Sequence, residues 1–284
     1  MKEHRGLLYG FFAVLVNSIA GALVKELSDV STATLVFTRF LIAFLFILPW
    51  IFRKKAKIHV AGFKKHFTRG ATGLISIAAY FYSVQNLPLV NSMTLAATSS
   101  LFMPLVVLIW GKKIIPRSRF VALLIGFIGV LVILRPGANF NHFATYVGLM
   151  GGIFSAIALY GVRLLSKSEA TETILSYYFI IAMVLSAPLM LAEWKPISWE
   201  DGVLLIWVGI LTFAYQYLIT KSFTHAPASK VGSISYLSVI FSGVLGWWFF
   251  QEVPDRFVVI GSALIMLGGL LALLNKESSR PWNR

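Results

Sequence analysis

The chain has 284 residues, 58% of them hydrophobic and only 13% charged, with a net charge of +14 and no cysteine. Soluble domains carry about 25% charged residues, so this composition excludes an ordinary water-soluble fold. The missing cysteine excludes thiol catalysis, cysteine-held metals and disulfides.

A helix needs about 20 mainly apolar residues to cross a bilayer. Ten stretches qualify, at 7–25, 33–52, 69–87, 89–111, 118–134, 144–164, 172–192, 202–220, 228–250 and 257–274. Strand-like alternation is absent, which argues against a transmembrane barrel. The expected fold class is therefore an all-α polytopic membrane protein of ten transmembrane helices. Pro88, Pro116, Pro136-Gly137, Pro196, Pro227 and Pro254 punctuate the junctions. The first stretch has the look of a cleavable leader, with MKEHR as a basic start and Ser18-Ile19-Ala20 as a small-residue site. The repeat described below argues that it is retained.

The second stretch, ATLVFTRFLIAFLFILPW, holds Arg39 six residues from its start. That depth is about 9 Å at ~1.5 Å per residue. A side chain of that length nearly reaches the interface, so snorkelling, a structural or gating duty such as pairing with Glu252, and substrate contact are the alternatives for it.

With the N-terminus in the cytoplasm, 20 Lys and Arg fall on the inner side and 4 on the outer. The inner set includes the seven basic residues from Arg53 to Arg69, and the outer set is Lys25, Arg135, Lys195 and Arg256. The positive-inside rule then puts both termini in the cytoplasm, and explains the basic charge better than a nucleic-acid partner does. Trp194, Trp199, Trp247 and Trp248 fall at outer boundaries, Trp50 and Trp110 at inner ones.

A shift of 138 residues lays GFFAVLVNSIAGALVKELS over GLMGGIFSAIALYGVRLLS and pairs Lys25 with Arg163. A shift of 139 pairs Pro88 with Pro227 and Gly129 with Gly268. Two units, 1–137 and 138–284, are expected, each with five spans. An odd number inverts the second unit in the membrane, the arrangement of many secondary transporters.

The residues FTRFLIAFLF, YFYSVQNLPLVNSMTLAATSSLF, GFIGVLVILRP and THAPASKVGSISYLSVIFSGVLGWWFFQEV resemble the EamA branch of the drug/metabolite transporter superfamily, over nearly the whole chain. Two departures stand out. Family units often end their fourth helix in Gly-Glu; the second unit has Gln251-Glu252, but the first has Gly111-Lys112-Lys113. A proline common in the middle of that helix is replaced by Ser100 and Val239.

No HExxH, no P-loop and no mid-span carboxylate is present, so an enzyme or ATP-driven pump is not expected and no cofactor or metal is implied. The polar residues inside spans are the remaining chemistry. Ser76, Tyr80 and Ser83 share one helical face, as do Asn91, Thr94 and Thr98, and Thr212, Gln216 and Thr220. Hydroxyls commonly serve as helix–helix glue. Amides are costlier to bury unpaired, so Asn17, Gln85, Asn86, Asn91 and Gln216 are stronger cavity candidates. The resemblance implies a central cavity lined by helices 3, 4, 8 and 9. That raises Tyr80, Asn91, Thr98, Gln216, Ser233 and Tyr236, which with the amide Asn17 are the cavity candidates; the gating or structural charges are Arg39, Lys25, Arg163 and Glu252.

The expected function is alternating-access transport of a small polar metabolite, amino acid or nucleoside-like, across the bacterial inner membrane. Drug export and, from another class, a membrane scaffold or lipid-handling protein are the rivals. The partners expected are a small-molecule substrate and the bilayer. A coupling proton or counter-substrate and a homodimer stand open.

Overall fold

A computed structural model describes residues 2–53, 62–111, 117–134, 143–226 and 228–274, and among them the chain is helical without strands. The helices are α1 (Lys2–Glu26), α2 (Thr32–Phe52), α3 (Phe63–Asn86), α4 (Leu89–Ala97), α5 (Ser99–Gly111), α6 (Arg117–Leu134), α7 (Phe143–Leu165), α8 (Thr171–Ala192), α9 (Trp199–His225), α10 (Ala228–Ile234), α11 (Leu237–Phe250) and α12 (Arg256–Leu274). They follow the ten expected stretches, with the fourth and the ninth each divided in two. The divisions fall at Thr98 and at Ser235-Tyr236. Side chains bond to nearby carbonyls there, Thr98 to Leu95 and Ser238 to Ser235. Such back-bonding competes with the helical ladder.

Seven stretches of the described residues are long and apolar enough to cross a membrane, two of them running through the divided pairs, Leu89–Gly111 over α4 and α5 and Lys230–Phe250 over α10 and α11; Phe120–Ile133 and Arg256–Leu271 are shorter apolar helices. The helix α3 is long enough but not apolar enough, because Lys64, Lys65 and Arg69 precede a row of polar residues on its buried face. The outer surface of the bundle carries exposed Leu8, Phe12, Val184, Leu189, Trp207, Trp248 and Phe249. Apolar exposure on that scale suits lipid as the surrounding solvent.

The helix α1 packs along α9, α3 along α7, α6 along α12, and α2 along α8 and α9. Small residues let the backbones approach, as is usual in membrane helix pairs. A Cβ on Gly268 would lie 2.6 Å from the Ala122 carbonyl oxygen, and one on Gly129 the same distance from that of Gly261. The largest apolar cluster joins α2, α3, α8 and α9. In it Phe40 meets Tyr178 edge-on at 5.2 Å, and Tyr178 lies 5.4 Å from Phe179.

Gln85, read from the sequence as a cavity amide, is a brace for the turn between α1 and α2. Its amide nitrogen donates to the carbonyls of Leu27 and Val30, both at 2.8 Å, and its oxygen accepts from the Thr32 hydroxyl at 2.6 Å.

Candidate functional site

Arg39 is 1% exposed. It lies on the buried face of α2, one residue before Phe40, where α3, α8 and α9 close over that helix. Its guanidinium carbon sits 4.6 Å from the Phe40 ring centroid and 5.5 Å from that of Phe81. Its Nε and Nη2 have no hydrogen-bond partner. The expectation of snorkelling is corrected, because the side chain is buried against rings, and Glu252 meets Lys25 rather than Arg39. The Phe40 ring beside it meets the Tyr178 ring edge-on at 5.2 Å.

Arg69, counted from the sequence among the basic loop residues, is also buried, at 3% exposure. It occupies the face of α3 that continues through Gly73, Ser76, Tyr80 and Ser83, all of them buried. Its Nη2 donates to Gln216 Oε1 at 3.1 Å, and its guanidinium lies 3.8 Å from the Tyr178 ring centroid. Nε and Nη1 are left without partners, as is the hydroxyl of Tyr178. Gly73 makes the placement possible. A Cβ there would fall 2.3 Å from Arg69 Nη1 and 2.8 Å from Tyr178 Cε2. The sequence held the signal, since Arg69 stands seven residues before Ser76 on the same helical face.

Burying an ion costs on the order of several kcal/mol. The aromatic faces return roughly 0.5–2 kcal/mol each. Gln216 supplies one acceptor, and no carboxylate among the described residues forms an ion pair with either arginine. The two cations are therefore solvated by rings and one amide, with donor groups left over.

The other expected residues fall in three places. Tyr80 and Asn17 converge on Met93, whose sulfur accepts from the Tyr80 hydroxyl at 3.2 Å and lies 4.0 Å from Asn17 Nδ2. Asn91 is half-buried on α4, and Thr98 is spent on the Leu95 carbonyl. Tyr236 belongs to the separate cluster of Val90, Leu123 and Ile265, against Gly269. The side chain of Ser233 lies outside the described residues.

The charges at the helix ends form two further groups. Lys25 Nζ pairs with Glu252 Oε1 at 2.7 Å and donates to the Leu87 carbonyl at 2.8 Å. Glu252 Oε2 accepts from the Leu89 backbone N–H at 2.7 Å. Arg163 donates to the Ala226 carbonyl at 3.3 Å. On α3, one turn before Arg69, His66 meets Glu169 at 3.0 Å and stacks on Tyr177 at 3.9 Å. Burial pushes the His66 imidazole below the ordinary histidine range, and Glu169 opposes that shift. Among the described residues, no cluster of three metal-ligating side chains occurs.

The family model described as the EamA-like transporter family matches residues 4–135 and again 142–274. The chain belongs to the EamA-like transporter family. Curated relatives of this EamA protein are similar over nearly their whole length. It is 30% identical to the pseudopaline exporter of Pseudomonas aeruginosa over 266 residues, 92% of this chain and 93% of that one. It is 27% identical to the riboflavin transporter of Vibrio cholerae, over 92% of this chain and 89% of that one. With the S-adenosylmethionine uptake transporter of Rickettsia prowazekii the identity is 24%, over 96% and 94%. A solved crystal structure superposes with a TM-score of 0.70 over 95% of this chain and 98% of that one; at 17% identity it speaks for the fold alone. The EamA protein is thus a membrane transport protein of the drug/metabolite transporter superfamily, and its relatives carry small metabolites.

Proposed function

We propose that this protein is a secondary transporter that moves a small polar metabolite, an amino acid or a nucleoside-like molecule, across the bacterial inner membrane by alternating access. The observation that carries the reading is the meeting of polar groups inside the bundle. Arg39 and Arg69 come from the first half of the chain, Tyr178 and Gln216 from the second; Arg69 bonds Gln216 and lies on the Tyr178 ring, which Phe40 beside Arg39 also meets. A scaffold has no use for such groups at the junction of its halves, whereas a carrier built of two units binds there.

The unit division is 1–137 and 138–284, with ten crossings, inverted topology and cytoplasmic termini. Several features support it. Lys25 and Arg163, equivalent under the repeat, donate to Leu87 and Ala226, each the residue before a proline. The divided fourth and ninth helices break at equivalent places, Thr98 and Tyr236. The pairing of α1 with α9 mirrors that of α3 with α7. The Lys25–Glu252 contact ties α1 to the end of α11 and to the start of α4, and closes the outer mouth.

The test is transport by purified protein in proteoliposomes, with labelled amino acids, nucleosides and drugs, with and without a pH gradient. Single cysteines at positions 91 and 216 can be labelled in a chain that has none of its own. Accumulation of one polar class, with labelling at 216 that its substrate blocks, is the expected result. No transport of any class and no labelling from either side would overturn the reading.

A further inference from the structure

We propose that Arg39 and Arg69 form a carboxylate-binding subsite, so that the transported metabolite carries at least one carboxylate. This rests on the transporter reading above and adds the chemical class of the substrate.

The argument begins with unused donors. Arg39 presents Nε and Nη2 together without partners. Those two N–H groups form one edge of the guanidinium, the fork that grips both oxygens of a carboxylate. Arg69 leaves Nε and Nη1 free while its Nη2 is held by Gln216. The Tyr178 hydroxyl is unpartnered too, and its ring lies under the Arg69 guanidinium. All three side chains are at least nine-tenths buried, Tyr178 at 1% exposure. Buried polar groups are normally hydrogen-bonded, and exceptions call for an explanation.

The second step is charge. Among the described residues, three lysines meet carboxylates near helix ends: Lys25 with Glu252, Lys221 with Glu172, Lys230 with Glu3. The two interior arginines have aromatic rings and a neutral amide instead. Rings and an amide hold the guanidinium groups in place without consuming their charge. An arriving anion gains both charges at once, in surroundings that screen little. A cation is repelled by the same arrangement, which gives the site discrimination by sign.

The geometry of the neighbours fits this division of labour. Gln216 and Tyr178 orient Arg69, and Gly73 leaves it the space it occupies. Phe40 and Phe81 hold Arg39. A purely structural arginine in a membrane bundle is expected to spend its donors on backbone carbonyls or carboxylates. Neither arginine does so.

The experiment uses the full-length protein in detergent, at constant chloride and ionic strength. Thermal unfolding is followed with succinate, glutamate, succinamide and inorganic phosphate as added probes. Succinate and glutamate are expected to raise the unfolding temperature, and succinamide is expected to leave it unchanged. In Arg39→Lys, which keeps the charge and loses the fork, the half-saturating concentration should rise about 10-fold or more, the scale of a lost charged hydrogen bond. In Arg39→Gln and Arg69→Gln the shift should vanish. A shift by phosphate alone would overturn the carboxylate assignment. So would equal shifts by succinate and succinamide, no shift by either carboxylate, or a shift that survives in the Gln variants. The two readings separate cleanly. Nucleoside transport that is unaltered in Arg39→Gln refutes the subsite and leaves the transporter. A carboxylate shift lost in both Gln variants, with no solute moved by the wild type, refutes the transporter and leaves the subsite.

Discussion

Breaking the Lys25–Glu252 contact should open one end of the bundle by an amount the structure sets. The two side chains are 17% exposed and 2.7 Å apart, so they are neither surface nor fully buried. Two unit charges about 4 Å apart attract by about 4 kcal/mol at an effective dielectric of about 20. Desolvation removes part of that. Exposed pairs contribute roughly 0.2–1 kcal/mol and broken buried pairs cost roughly 3–5 kcal/mol. A value near 2 kcal/mol follows for this intermediate case, and it corresponds to about a 30-fold change in the closed-to-open ratio. The assay is the rate at which an impermeant maleimide modifies a cysteine at position 91, two residues past the Leu89 N–H that Glu252 accepts. Glu252→Gln and Lys25→Met should each accelerate it about 30-fold when applied from the Lys25 side. A charge swap, Lys25→Glu with Glu252→Lys, should recover only part of the effect. The swapped pair cannot donate to the Leu87 carbonyl or accept from the Leu89 N–H, as the native pair does. Unchanged rates in both single variants would refute the latch.

Three further outcomes are expected. Because burial holds the His66 pKa below its unfolded value, the unfolded chain binds the proton first on acidification. Stability should therefore fall as pH drops below about 6.5. His66→Gln should flatten that decline in unfolding temperature between pH 7 and pH 5. Gly73→Ala should displace the Arg69 guanidinium, because the new Cβ would fall 2.3 Å from Nη1. Substrate KM should rise while expression stays near wild type; an unchanged KM would contradict the placement. Gly268→Ala should destabilise the α6–α12 pair by about 1–3 kcal/mol, the usual scale of overpacking. The new Cβ would meet the Ala122 carbonyl oxygen and the Gly126 nitrogen at 2.6 Å, and backbone cannot give way as a side chain can. A lowered unfolding temperature measures it.

The helices were legible in the sequence because hydropathy and turn residues act locally. The face Ser76-Tyr80-Ser83 was read from spacing alone, and the structure buries all three residues. Its extension back to Arg69 was missed, because a basic residue beside Lys64 and Lys65 looks like a cytoplasmic flank. Gln85 was misread for a related reason. An amide inside a span can line a cavity or brace a neighbouring turn, and only the position of Leu27 and Val30 distinguishes the two.

What the sequence by itself determined was the solvent this chain needs and the helical form that follows. Each span must satisfy its own backbone in lipid, and that requirement is written residue by residue. It also carried the family, through motifs spread over both halves. The tertiary structure decided which charges are answered and which are not. Lys25 meets Glu252 across residues far apart in the chain, while Arg39 and Arg69 meet only rings and an amide. The fate of a charge depends on the helix faces that close around it, and no local pattern in the chain records which faces those are.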